Sequence, residues 1–114
     1  MRIQEKAHNE AYKKVLIDGK ILFPATVIGT ERWQSTTSWK NSYLHQIDIP
    51  AIGFQDEVQN AAGKRILLVY QQTNNKYCGC SYTVLEVKAT NTMVSFIVDP
   101  LSFASHMSDT MMLG

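Results

Sequence analysis

The feature that most constrains this chain lies in its C-terminal half, where two segments over 81–89 and 92–98 are rich in Val, Thr, Tyr and Phe and alternate apolar with polar positions. The intervening Lys88-Ala89-Thr90-Asn91-Thr92 has the chemistry of a hairpin bend. A period of two sends successive side chains to opposite faces. Thr83, Leu85 and Val87 are therefore expected to share an inner face with Val94, Phe96 and Val98, while Glu86, Lys88 and Ser95 face water. A nearly unbroken apolar run from Ile66 to Tyr70, before the turn at Asn74-Asn75, adds a third strand over about 65–71. Short antiparallel strands with one apolar face must curl or pack on something, so a meander is expected to form the heart of the fold.

Upstream, residues 43–49 alternate again: Tyr43, His45, Ile47 and Ile49 fall on one side, and Pro50 ends the run. A fifth strand is expected over 21–28, placed at an edge or bulge by Pro24, which removes a ladder donor. The polar stretch from Gly29 to Ser42 reads as a long loop or hairpin. Helices are expected in three places. Ile3, Ala7, Ala11 and Val15 stand four apart and Gly19 and Pro24 follow, which predicts an amphipathic helix over 3–17. Phe54, Val58 and Ala62 predict a short helix over 54–62. Asp99-Pro100 is suited to a helix start, and Phe103, Met107 and Met111 lie four apart, which predicts a short C-terminal helix over 100–112. The expected fold class is thus α+β and β-rich: a small antiparallel curved sheet or partly open β-barrel of about five strands, with an N-terminal and a C-terminal helix.

The length of 114 residues suits one domain spanning 1–114, and 45% hydrophobic with 18% charged residues is the balance of a chain that folds. Eleven basic and ten acidic residues give a net charge of +1 without a basic cluster, which weighs against nucleic acid as the main partner. The opening residues lack the apolar stretch of a signal peptide and no run approaches the ~18 apolar residues of a membrane span, so a cytoplasmic protein without a membrane partner is expected.

Signatures of chemistry are sparse. Cys78 and Cys80 are too close together to frame a disulfide scaffold and lack a second ligand pair, and His8, His45 and His106 stand apart, so no metal is expected. The six glycines stand singly, which leaves no phosphate-cradling loop and no expected cofactor. His45, on the apolar side of its strand, is a position for a general base, with Tyr43, Asp48, Asp56 or Glu57 as conceivable assistants, but no spacing selects a catalytic set. Trp33 and Trp39 with Arg32, Lys40 and Tyr43 form a binding candidate, since Trp and Arg are enriched at interface hot spots. Phe103, Met107, Met111, Met112 and Leu113 form an apolar tail suited to an interface with a protein partner or a second copy.

These features favour a non-enzymatic binding or assembly module acting through protein contacts, possible as an oligomer, a profile that fits a small accessory or structural protein of a virus or phage. The first alternative is a single-stranded nucleic-acid-binding barrel that stacks bases on Trp33, Trp39, Tyr43, Tyr70 and Tyr77, with Arg32, Lys40, Lys64, Arg65 and Lys76 supplying charge. The second is a small ligand-binding or hydrolytic barrel centred on His45.

Overall fold

A computed structural model describes residues 3–23, 26–36, 43–50, 58–73 and 76–106. Within them the chain is almost entirely extended. Eight strands follow in order: β1 (Ile3–Tyr12), β2 (Lys14–Ile17), β3 (Lys20–Phe23), β4 (Val27–Thr36), β5 (Tyr43–Pro50), β6 (Arg65–Thr73), β7 (Lys76–Ala89) and β8 (Met93–His106). They form one antiparallel sheet in the order β1-β4-β5-β8-β7-β6-β2-β3, curled into a half-barrel.

The expected N-terminal helix over 3–17 is replaced by β1 and β2. A spacing of four is even, so it keeps residues on one side of a strand as well as of a helix. Asp18-Gly19 decides between the two. Both residues have positive φ, 51° and 83°, the left-handed pair of a type I′ hairpin turn, whose twist suits the flanking strands. Ile17 pairs with Lys20 across that turn, and Ile3 pairs with Thr36 at the far end. The segment over 3–36 is therefore one long hairpin, and Gly29–Thr36 belongs to its second arm, not to a loop. The strand expected over 21–28 is split between β3 and the start of β4.

The C-terminal helix over 100–112 is likewise overturned as far as His106, because β8 runs through Asp99-Pro100. Instead of starting a helix, Asp99 caps a bulge: its Oδ1 accepts from Leu101 N at 2.9 Å, and its carbonyl accepts from Ser102 Oγ at 2.6 Å. Ser102 Oγ in turn accepts from Thr83 N at 2.7 Å, so the bulge is tied to β7. Residues 107–112 of that expected helix lie outside the described residues, as do 54–57 of the short helix expected over 54–62, whose described part is helical only at 58–59 and gives way to a turn from Asn60 onward. From the latter, Val58 and Ala61 insert into the core, and reciprocal bonds from Gly63 N to Val84 O and from Val84 N to Lys64 O fasten the segment to β7.

The concave face carries the core: Val15, Ile17, Ile47, Ile49, Ile66, Leu68, Val84, Phe96 and Val98 are all nearly or fully buried. Burying each such side chain is worth about 1.5–3 kcal/mol before entropy is counted. The inner set on β7 differs from expectation. Cys80, Tyr82 and Val84 point inward, Leu85 is 58% exposed, and Val87 packs on the core again. The cause is a register shift between Val84 and Glu86, where one extra residue flips the alternation.

Lys13 is the other point where parity changes. Before it, β1 turns Tyr12 inward; after it, β2 turns Val15 and Ile17 inward. It also changes the chain's neighbour. β1 pairs with β4, whereas β2 pairs with β6 from Lys14↔Val69 to Ile17↔Ile66, and Lys13 N donates to Val69 O at 2.6 Å. Beyond that bond the ladder stops between β1 and β6, although the strands stay near each other: among the described residues Ile3–Tyr12 pairs only with β4, and Tyr70–Thr73 only with β7. The half-barrel is therefore open along a seam between β1 and β6.

Candidate functional site at the open seam

Next to the seam the apolar lining gives way to a polar and aromatic one. Glu31 lies on β4 between inward-facing Gly29 and Trp33, directly opposite His8 of β1. It is 7% exposed, and its carboxylate meets Tyr12, His45 and His8. Tyr12 Oη donates to Glu31 Oε2 at 2.8 Å, and His45 Nε2 lies 3.2 Å from Oε1. Burial pushes the Glu31 carboxyl up, but hydrogen bonds from His45 and Tyr12 and the nearby His45 and His8 outweigh it, leaving the group below the usual carboxylate range. It is ionised at neutral pH. A carboxylate only accepts, so His45 carries its proton on Nε2. Tyr12 is correspondingly held in its neutral phenol form, by burial first and by the Glu31 charge second.

Five rings cross the concave face from the seam inward. His8 stacks on Trp33, with centroids 4.9 Å apart and planes 20° apart; Trp33 meets His45 at 5.1 Å. His45 meets Tyr82 edge-on at 4.7 Å, and Tyr82 meets Phe103 at 5.5 Å. His8 is the seam end of the row, with 46% of its side chain accessible. Its Nε2 lies 3.7 Å from Glu10 Oε2 and 3.9 Å from Glu31 Oε2. Tyr70 faces the same interior, its hydroxyl pushed up by burial and then by the charges of Cys80, Cys78, Glu10 and Glu31. Cys80 is buried there too, its thiol pushed up to about 11 by burial and the Glu31 charge.

The sequence candidates fall in several places. His45 is inside the barrel, as its alternation with Ile47 implies, but Asp48 is on the opposite side of β5. There Asp48 accepts from Arg32 Nε, Gln46 Nε2 and Ser95 Oγ, each at 2.7 Å. Burial raises the Asp48 carboxyl, and those three hydrogen bonds with the Arg32 charge bring it net below the usual range. Arg32 and Trp33, neighbours in sequence, thus serve opposite faces of β4. Trp39, Lys40, Asp56, Glu57, Met107, Met111, Met112, Leu113 and the side chain of Tyr43 lie outside the described residues. Phe103 is half exposed at the inner end of the ring row. Tyr77 is 38% exposed on β7, remote in register from Trp33 on β4. Arg65 donates to Ser81 Oγ, Thr83 Oγ1 and Ser102 O, binding β6 and β7 to the β8 bulge.

The sequence reading missed Glu31, Tyr12 and His8. Gly29, Glu31 and Trp33 share a period of two, which is the signal that Glu31 and Trp33 face the same way; it becomes readable only once the stretch is recognised as a strand.

Among the described residues no three of His, Cys, Asp and Glu converge as metal ligands, and no helix is long and apolar enough to cross a membrane. The chain matches no family model, no curated protein and no solved structure, so the seam's own chemistry has to carry the functional argument.

Proposed function

We propose that this chain is a non-enzymatic binding module and that it binds at the open seam between β1 and β6. The observation that carries this reading is the ionised, buried Glu31 on the inner face of the half-barrel, beside a strand edge that leaves its neighbour at Lys13. A buried carboxylate is costly and is retained where it fixes a fold or meets a ligand. Here it lies next to an exposed ring, His8, beside the seam where β1 and β6 do not pair among the described residues.

Catalysis by His45 is the weaker reading of the same residues. Its side chain is 2% exposed, whereas a general base must come within hydrogen-bond reach of a substrate. Nucleic-acid stacking on Trp33 is disfavoured because two carboxylates, Glu10 and Glu31, stand beside the His8 ring that stacks on it, where a phosphate backbone would be repelled.

The test is a panel of small probes, benzamide, benzoate, benzamidinium and n-butylammonium, followed by backbone amide shifts in the full chain. Saturable shifts at Ala7, His8, Glu31 and Trp33 with at least one probe are expected. No seam shift with any of the four would refute the assignment of the seam as the binding site.

A further inference from the structure

The His8 imidazole is a planar nitrogen ring stacked on Trp33, which also meets the buried His45, and its Nε2 lies near two carboxylates on different strands. It fits that position poorly. At 3.7 and 3.9 Å from Glu10 and Glu31, its Nε2 reaches neither oxygen at the 2.7–2.9 Å of a charge-assisted hydrogen bond. Nearly half its side chain remains in water, and it sits on an edge strand with one pairing neighbour among the described residues.

We infer that His8 holds the place of a ligand, and that the seam takes a planar organic cation of the guanidinium or amidinium class. The inference deepens, and rests on, the binding reading above. Such a cation is flat, weakly hydrated and carries donors on two sides, so it stacks on an indole face and spans two carboxylates at once. Glu31 Oε2 accepts from Tyr12 but keeps a second lone pair, and Glu10 Oε2 lies across the gap. A tetrahedral ammonium can use the charges and a cation–π contact but not planar stacking, and a neutral amide can use the stack but not the charges. His8 would swing outward on binding, which its exposure allows.

Binding is measured by amide shifts and tryptophan fluorescence on the full chain with benzamidinium, methylguanidinium, n-butylammonium and benzamide. Arginine methyl ester and an acetyl-Gly-Arg-Gly-amide peptide distinguish a free cation from an arginine side chain of a partner. Benzamidinium is expected to bind about tenfold or more tighter than benzamide, roughly the worth of one charge-assisted contact. His8→Ala should tighten binding about threefold by clearing the ring from Trp33, and Glu10→Gln, at a partly exposed position that leaves the Glu31 network intact, should weaken it about threefold. Binding of either supports the proposal; tighter binding of the peptide points to an arginine side chain of a partner, and tighter binding of the ester to a free cation. Equal seam binding of benzamide or n-butylammonium and benzamidinium would leave the binding module standing and overturn the cation assignment. So would weaker binding by His8→Ala, which would make His8 part of the site instead of its occupant. The absence of any seam response would remove both.

Discussion

Gly29 is the position where the geometry of the site makes the sharpest demand on the sequence. A Cβ there would lie 2.5 Å from Tyr12 Cε2, 3.1 Å from Tyr12 Cδ2 and 3.1 Å from the Asp48 carbonyl oxygen. Carbon atoms in a core rest about 3.5–4.0 Å apart, so the ring must retreat by about 1 Å. It has nowhere free to go: Tyr12 is fully buried, and its hydroxyl is anchored to Glu31 at 2.8 Å. Overpacking costs about 1–3 kcal/mol, and breaking a hydrogen bond to a charged acceptor about 1.5–3 kcal/mol. Alanine recovers about 0.5–1 kcal/mol through its lower backbone entropy. Gly29→Ala is therefore expected to destabilise the fold by about 2–4 kcal/mol. Urea unfolding followed by tryptophan fluorescence reads this as a midpoint lowered by about 1 M or more, with little change in slope. In a Tyr12→Leu background, where the ring edge is gone, the same substitution should cost under about 1 kcal/mol, giving a coupling of at least about 1 kcal/mol. A Gly29→Ala protein within about 0.5 kcal/mol of the parent, or an equal cost in both backgrounds, would refute the idea that Tyr12 is pinned between Gly29 and Glu31.

Two further outcomes follow from the carboxylates and the thiol. Glu31 and Asp48 both sit below their ordinary values in the folded chain. Their stabilisation is thus present above about pH 4 and is lost as the pH falls through the folded values below it. Stability should drop steeply from about pH 4 downward, and Asp48→Asn, which keeps the side chain's shape, should flatten that drop in acid titrations followed by circular dichroism; an unchanged profile would contradict the assignment. The raised Cys80 thiol should resist a disulfide reagent at pH 8 in the native protein and react fully in denaturant, and rapid native labelling at Cys80, read by peptide mapping, would count against its burial.

The β-rich character and the meander of β6, β7 and β8 were legible because their alternation is long and regular. So was the inward side of His45, which Ile47 and Ile49 announce. What misled the reading was a spacing that serves two structures. Ile3, Ala7, Ala11 and Val15 suit one face of a helix and one side of a strand equally, and Asp18-Gly19 fits a helix stop until its hairpin geometry is weighed. Asp99-Pro100 is similarly ambiguous, since an aspartate that caps free amides does so in a bulge as readily as at a helix start. The faces of β1–β2 and of β7 were hidden for another reason: Lys13 and the shift near Leu85 each add one residue to the count, and pairing across the sheet, not local sequence, decides where such a residue sits. Glu31 stayed unseen because an acidic residue in a polar stretch looks solvated until its partners, 19 residues back at Tyr12 and 14 ahead at His45, are brought beside it.

The change of neighbour at Lys13 also divides the assembly of the sheet in time. The hairpin of β1–β2 with β3–β4 closes outward from the two-residue turn at Asp18-Gly19, each rung brought near by the one before it. The rungs from Lys14↔Val69 to Ile17↔Ile66 join segments about fifty residues apart in the chain, and such non-local pairings are slow to form because the loop between them must first be ordered. The same four-residue strand is thus among the earliest to find one partner and among the last to find the other. Until it does, the apolar edges of β2 and β6 remain open to any other strand in solution, so the interval before this short ladder forms is when the chain is most exposed to aggregation.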